Sequence, residues 1–458
     1  LERKHDRGKV SFMPQSFTTP TFSLCTLGCK VNQYESQAIA EDFERLGFSL
    51  SSFDEKCDVY IINTCTVTAE SDRKSRQMIR RAVKAGGENA VVIVAGCFSQ
   101  AEGDAVRAIP GVSAAFGTAD KSEIAAYAAE LFRKKENGAC LAFENHVCSL
   151  SDVRSFDETS ITHSERTRAF VKIVDGCENH CAYCIIPRVR GKIRSRRIEK
   201  ILPELETLAR HGYREIVLTG IETAAFGRDT GETLLELLAR ANEIDGIERI
   251  RLGSLEPTVI REAFAEGIAN LEHVVPHFHL SLQSGCDAVL RGMRRKYNTD
   301  MFRKKLALLR KNLPDCTFTT DVIVGFPGET EEMFRQTCDF VHECAFLYVH
   351  IFPYSKREGT DAAEYENQIP ESVKKQRAAR LKEVMLETRK DVLRRFDGKI
   401  TSVLFEETDA DGCYMGHTPH YIEAKMTKKA SEDLHGKILP CRLNFREDTV
   451  DFMECEPI

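Results

Sequence analysis

The sequence predicts a mixed α/β protein in three parts: an N-terminal parallel α/β domain, a central partial or complete β/α barrel, and a small C-terminal β-barrel. Three observations predict it. Apolar runs of strand length alternate with helical periodicity from Phe22 to about Ala142. The alternation resumes at Arg168. After Gly398 it gives way to short strands separated by turn residues. A chain of 458 residues agrees with about three domains at ~150 residues each. Domain boundaries are expected at 21–142, 163–393 and 397–458.

In the first part FSLCTLG is a strand that ends at Gly28, and NQYESQAIAEDFERLGF follows with helical spacing and stops at Gly47. CDVYIINTCTVT is a second strand before the charged helix AESDRKSRQMIRRAVKAG. AVVIVAGCFSQ is a third strand, and AEGDAVRAI a helix. Strands separated by helices of this length pair in parallel. Asn137 to Arg166 is polar and without periodicity, as expected of an interdomain segment.

In the second part AFVKIVDG, EIVLTG, RIRLGS, HFHLSLQSG, TFTTDVIVG and LYVHIFPYS are strand-like, with helices between them. A β/α barrel places its chemistry at the C-terminal ends of such strands. The basic stretch VKKQRAARLKEVMLETRKDVLRRFDG is one long helix, and ITSVLFEE, YIEAKM, GKILPCRLNFRE and VDFMEC are the strands of the third part.

With 42% hydrophobic residues the chain has enough apolar material for ordinary cores, and its 29% charged residues are normal for a soluble protein. No apolar run is long enough to span a bilayer. The polar start LERKHDRGKVSFMPQ has no apolar signal core, so a cytoplasmic location is expected, and Leu1 suggests a truncated or misassigned start. The net charge of −6 excludes a globally basic nucleic-acid binder, so any polyanion site must be local. Seventeen cysteines in such a chain are expected to be metal ligands or buried thiols, not a disulfide framework.

Cys177, Cys181 and Cys184, in DGCENHCAYCIIPRVRG, are spaced C-x3-C-x2-C just after a strand. One reading is a zinc site with His180 as fourth ligand, in a non-catalytic RNA-binding protein. The spacing is tighter than the usual two-pair zinc arrangement, and close runs of thiolates also hold iron–sulfur clusters. Cys29, Cys65 and Cys97 each follow a strand at its C-terminal end, where a parallel sheet brings distant residues together. The alternative is three buried core thiols, but all three stand at strand-to-helix turns before polar residues. Cys25, inside its strand, suits the core.

The pattern C-x3-C-x-Y-C, with Tyr183 before the third cysteine, resembles the signature of radical S-adenosylmethionine (SAM) enzymes. The resemblance implies that Cys177, Cys181 and Cys184 hold three irons of a 4Fe–4S cluster, and that SAM binds the fourth. Together with TLGCKVNQYES, INTCTVT and CIIP-x3-RG-x3-SR, the whole chain from about Phe22 resembles the radical SAM methylthiotransferases. Within them it is closest to the branch acting on threonylcarbamoyladenosine in tRNA. That family is an N-terminal cluster domain, a radical SAM barrel and a C-terminal TRAM domain that binds RNA. The resemblance implies a second 4Fe–4S cluster on Cys29, Cys65 and Cys97. It implies a 2-methylthio product at position 37, the tRNA anticodon stem-loop as partner, and an electron donor such as flavodoxin or ferredoxin. Relatives sharing the six cysteines act instead on isopentenyladenosine in tRNA or on an aspartate of a ribosomal protein.

In the same context Asp321, Val324 and Gly325 would lie beside the SAM adenosine, with Tyr183 near the cluster. Gly220 and Glu222 occupy the turn that binds the SAM amino group in the superfamily. Here it reads Glu222-Thr223-Ala224 where Asn-Leu-Gly is usual. Ser254, Glu256 and Gln283 also end strands at the mouth, where turn roles compete with ligand roles. Seven Lys or Arg lie among the thirteen residues from Arg188 to Lys200. A charge run is by default a solvated face. Its place beside the cysteines points to RNA phosphates as partners of Arg188, Arg190, Lys192, Arg194, Arg196 and Arg197. Arg294 and Arg295, with Arg291 and Lys296, form a second basic patch. Tyr414, His417, His420 and Tyr421 are candidates for stacking on unpaired bases.

Overall fold

The computed structural model describes residues 19–458. The polar stretch from Leu1 lies outside them. Residues 21–146 form a six-stranded, wholly parallel sheet: β1 (Thr21–Thr26), β2 (Ser49–Leu50), β3 (Val59–Thr64), β4 (Val91–Gly96), β5 (Ala114–Phe116) and β6 (Glu144–His146), in the order β2-β1-β3-β4-β5-β6. Both central strands, VYIINT and VVIVAG, are buried at every position. They have helices on both faces and so read as continuous apolar runs. Alternate residues enter two cores: Ile61 and Ile93 pack with Phe22, Ile39 and Phe43 on one face, and Tyr60, Ile62, Val92 and Val94 with Ile79 on the other. The charged helix spans Ala69–Gly86, started by the Thr68 hydroxyl, which accepts from the Ser71 N–H.

Sequence periodicity misses β5 and β6. Ala-Ala-Phe has too few β-branched residues to stand out, and Glu-Asn-His is an exposed, polar edge. The segment expected to be only a linker therefore adds a strand. AEGDAVRAI also differs: the chain makes two short helices there, Cys97–Ala101 and Gly103–Arg107.

The next six parallel strands form the partial barrel: β7 (Ala169–Asp175), β9 (Glu215–Gly220) and β10 (Arg249–Leu252), then β11 (His277–His279), β12 (Thr317–Val324) and β13 (Tyr348–Pro353). The short antiparallel β8 (Arg194–Ser195) edges β7. Isolated bridges Ile250–Val274 and Leu255–Leu280 join the two halves. β13 is an open edge. The helix Glu371–Arg394 packs behind β12 and β13.

The strands β14 (Ile400–Thr408), β15 (Tyr414–His417), β16 (Glu423–Met426), β17 (Ile438–Asn444) and β18 (Met453–Pro457) close into a barrel. It is clamped to the central barrel by Arg249 and Arg251. Arg249 donates to the carbonyls of His417 and Ser402, each at 2.9 Å, and Arg251 to that of Pro419 at 3.1 Å. Buried Glu215 accepts from both arginines. Among the described residues no helix is long and apolar enough to cross a membrane.

Candidate functional site

Parallel pairing sets the geometry of the first thiol trio. β1, β3 and β4 are adjacent and in register, so the turns carrying Cys29, Cys65 and Cys97 open on one sheet edge. Cys29 is the N-cap of helix Lys30–Arg45, Cys65 follows β3, and Cys97 starts the helix after β4. A Cβ on Gly28 would lie 2.9 Å from Cys65 Cβ and 3.1 Å from its Sγ, so only glycine lets the two turns meet. Burial, with the other two thiols near it, pushes the Cys65 thiol up to about 11. Burial also raises Cys97.

The second trio lies in the loop between β7 and the short helix Ile186–Arg190. The Asn179 N–H points at Cys177 Sγ at 3.4 Å, and Arg295 Nη1 at Cys181 Sγ at 3.1 Å. Burial pushes Cys184 up to about 12, and burial with the Glu222 carboxylate raises Cys177 further. Such thiols stay protonated until a metal takes the proton's place. In neither trio do the three sulfurs come within 4.8 Å of one another, a limit met among the described residues only by His279, Asp321 and His350. A single zinc at ~2.3 Å from each sulfur needs them closer than that. Three thiols in each set, one of them faced by a guanidinium, are a donor set suited to an iron–sulfur cluster. His180 is exposed.

The two trios are joined by a buried ionic network of two carboxylates, Glu35 and Asp175, and three cations, Arg190, Lys121 and Lys172. Arg190, 0% exposed, donates through Nη1 to Glu35 Oε1 at 2.6 Å and to Asp175 Oδ2 at 3.1 Å. Its Nη2 donates to Asn32 Oδ1 at 2.6 Å, and its Nε points at Cys97 Sγ at 3.4 Å. Lys121 and Lys172 also pair with Glu35. Burial alone would raise the Glu35 carboxyl, but Arg190, Lys121 and Lys172 hold it well below the usual carboxylate range. Asp175, two residues before Cys177, is drawn down to about 2: burial opposes this, and Lys172 and Arg190 outweigh it.

This corrects the expectation of an RNA-facing basic run. Arg190, Arg194 and Arg196 are buried. Arg194 donates to the carbonyls of Arg190 and Lys192, and Arg196 pairs with Glu204. Arg295, with a side chain 7% exposed, faces Cys181 and Glu256 and not solvent. Arg188, Lys192, Arg197 and Lys200 remain exposed. Arg188 and Lys192 line a hollow of about 510 Å³ with Cys177 and His180. Arg294 is exposed and paired with Asp361. Three of the aromatic candidates are also packed: Tyr421 stacks between His277 and His417 with Arg168 and Arg251 over its ring, and His420 packs on Phe396.

The mouth residues divide. Glu222 reaches Cys177, its Oε2 lying 3.1 Å from the sulfur. Gly220 is required by the close approach of β7: a Cβ there would meet Val174 Cγ1 at 2.4 Å. Tyr183 packs partly buried against the Phe326 and Met293 cluster. The Ser254 hydroxyl is 2.8 Å from that of Ser281. Gln283 holds a left-handed φ of 69° while its N–H donates to the Asp321 carbonyl at 2.8 Å, a strained position of the kind that clusters at functional sites. Val324 is buried, and the Gly325 N–H donates to Glu329 at 2.7 Å. The sequence did not single out Asn32, Glu35, Lys121 or Lys172. The available signal was Asn32 and Glu35 standing on the inward face of an amphipathic helix.

The barrel with a cysteine loop after its first strand defines a radical SAM protein. The family described as the Radical SAM superfamily matches residues 171–341, and that described as Uncharacterized protein family UPF0004 matches residues 21–117. The fold is shared with the radical SAM methyltransferase TsrM from Kitasatospora setae, at a TM-score of 0.54 and 15% identity over 73% of this chain and 75% of that one. Full-length relatives narrow the class. The chain is 39% identical to threonylcarbamoyladenosine tRNA methylthiotransferase MtaB of Bacillus subtilis, over 92% of this chain and 93% of the relative. It is 34% identical to the protein of that name from Thermotoga maritima, over 91% and 93%. It is 33% identical to a tRNA-2-methylthio-N(6)-dimethylallyladenosine synthase of Acetivibrio thermocellus, over 92% and 88%. The chain belongs to the radical SAM tRNA methylthiotransferases, which brings SAM and a 4Fe–4S cluster as cofactors.

Proposed function

We propose that this chain converts N6-threonylcarbamoyladenosine at position 37 of tRNA to its 2-methylthio derivative. The observation that carries the reading is the pair of thiol trios at strand ends of two adjoining sheets, joined through Arg190, in a chain 39% identical to a tRNA methylthiotransferase. On this reading Cys177, Cys181 and Cys184 hold the SAM-binding 4Fe–4S cluster and Cys29, Cys65 and Cys97 a second one. When bound, these groups supply the radical that activates carbon 2 of the adenine and the sulfur inserted there. The residues of the chain set the stage for that chemistry. Arg295 places positive charge at Cys181, Arg190 does so at Cys97, and Asp175 fixes Arg190. The buried network excludes water between the trios, as radical chemistry requires.

Glu222 is the candidate for the SAM amino group, with Val324 and Gly325 toward its adenosine, while the Asp321 carboxylate is turned to His279. Exposed Arg188, Lys192 and Arg197 are the candidates for phosphates of the anticodon stem-loop. A soluble one-electron donor such as flavodoxin or ferredoxin, and a cytoplasmic location, complete the reading. A second reading, action on dimethylallyladenosine, is favoured by the 33% identity to the synthase of that substrate. Mass spectrometry of tRNA nucleosides from a strain lacking the gene separates the two. Loss of 2-methylthio-threonylcarbamoyladenosine, restored by the gene, is expected; loss of the dimethylallyl product instead would overturn the first reading. Replacing Cys177, Cys181 and Cys184 together by Ala is expected to abolish SAM cleavage while keeping about half of the iron, since one of two clusters remains.

A further inference from the structure

His279, Asp321 and His350 stand side by side on β11, β12 and β13, on the face of the sheet opposite the buried Phe318, Val322 and Val324. His279 is fixed from both sides. Its Nδ1 is 3.0 Å from the Thr319 hydroxyl and its Nε2 3.3 Å from Asp321 Oδ2. The exposed His350 makes no side-chain hydrogen bond among the described residues, and its ring lies 4.9 Å from Tyr348. Tyr348, His350 and Phe352 alternate along the open edge strand and so share one face. Tyr348 and Phe352 are 37% and 44% exposed, unusual for large rings in a barrel strand. At the start of helix Lys30–Arg45, the partly buried Lys30 ammonium lies over the Phe170 ring at 5.9 Å and within Coulombic range of Asp321 and His350; burial lowers its pKa and Asp321 works against that, and it has no ion pair among the described residues. Lys30 directly follows Cys29.

This strand face and Lys30 together offer an ammonium without an ion pair, a free imidazole, an oriented carboxylate and two exposed aromatic rings. Three ligand atoms this close also suit a metal ion. However, the ammonium repels a cation, and both nitrogens of His279 are already engaged. An anionic group that also carries donors fits better. The threonylcarbamoyl group has both: a carboxylate, and ureido and hydroxyl hydrogens.

We propose that Lys30 and His350 bind the carboxylate of the threonylcarbamoyl group, with Asp321 accepting from its ureido and hydroxyl hydrogens and Phe352 stacking on the adenine. His350 is two residues, about 7 Å, from Phe352 along the strand, the reach from a stacked base to its N6 substituent. This rests on the tRNA reading above and adds the residues that separate an anionic substituent from an apolar dimethylallyl one.

The test measures binding by the cluster-loaded enzyme, held anaerobic and without reductant so that nothing turns over. The probes are anticodon stem-loops of one sequence bearing adenosine, threonylcarbamoyladenosine, its methyl ester or dimethylallyladenosine at position 37. The free acid is expected to bind roughly tenfold tighter than unmodified adenosine, and its ester to lose that preference, as for one charge-assisted pair. Lys30→Met and His350→Gln are expected to lose it too, and Lys30→Arg to keep it. An ester bound as tightly as the acid, or variants that keep the preference, would overturn the assignment of these residues. A wild-type preference for the dimethylallyl probe would instead sink the substrate reading itself. Stoichiometric zinc bound by the wild type and lost in His350→Gln would make the cleft a metal site and overturn the proposal.

Discussion

Arg190 is the residue on which the two trios depend most. It touches Glu35, Asn32, Asp175 and Cys97 at once and has no access to solvent. Arg190→Met would leave Glu35 with Lys121 and Lys172, and Asp175 with Lys172 and the longer Arg194 pair. Breaking such a buried network costs about 3–5 kcal/mol, to be read as a lowered midpoint of chemical unfolding. Arg190→Lys is expected to recover only part of the loss, since one ammonium cannot replace a planar fork with four partners. The residue scale is where the sequence misleads. A run of alternating basic residues looks like a surface from its composition alone. Three of its arginines point inward because Glu35, Asp175 and Glu204 and nearby backbone carbonyls meet them. Glu204 and Asp175 are 8 and 15 residues away, but Glu35 is 155 residues from Arg190, and nothing local announces it.

At the scale of elements the strands that carry chemistry were legible, because each is an apolar run ending in a turn with a cysteine or glycine. Their packing adds a constraint that periodicity does not contain. β7 and β9 approach so closely at Gly220 that a side chain there would strike Val174, whose carbonyl oxygen would be 2.8 Å from the new Cβ. Gly220→Val is therefore expected to destabilise the fold by about 1–3 kcal/mol through overpacking. It is also expected to lower iron content, because Val174 leads within three residues to Cys177. A thermal midpoint and an iron assay check both. The interior strand β5 and the edge strand β6 escaped notice for the opposite reason: they are short, and their neighbours rather than their composition make them strands.

For the whole molecule, the decisive joint is that between the central and terminal barrels. Glu215 accepts from Arg251 and Arg249, which in turn reach the carbonyls of the terminal barrel. Burial alone would raise Glu215, but Arg251, with Arg168 and Arg249, draws it down from 4.5 to about 2. A carboxylate depressed on folding stabilises the native state above its unfolded value and ceases to do so as pH falls through its folded value. Stability is thus expected to decline between pH 4.5 and about 2, and Glu215→Gln to show a shallower decline in unfolding midpoints over that range. Tyr421→Ala, which removes the ring held between His277 and His417, is expected to speed limited proteolysis near residues 397–400 and release the terminal barrel. The three-part order was plain from the sequence. That the aromatics of the terminal barrel serve this joint was not, because stacking on a base and stacking on a histidine call for the same residues.

The network around Arg190 also has a history within each molecule's synthesis. Glu35 and Lys121 leave the ribosome in the first sheet, while Lys172, Asp175 and Arg190 are made later. At ~5–20 residues per second the gap is several seconds. During that interval the nascent first sheet carries an inward-facing carboxylate with one lysine for company and an uncovered thiol at Cys97. Only when the loop after β7 emerges can that face be sealed, so the order of translation sets the earliest moment at which Cys97 becomes shielded from oxidants.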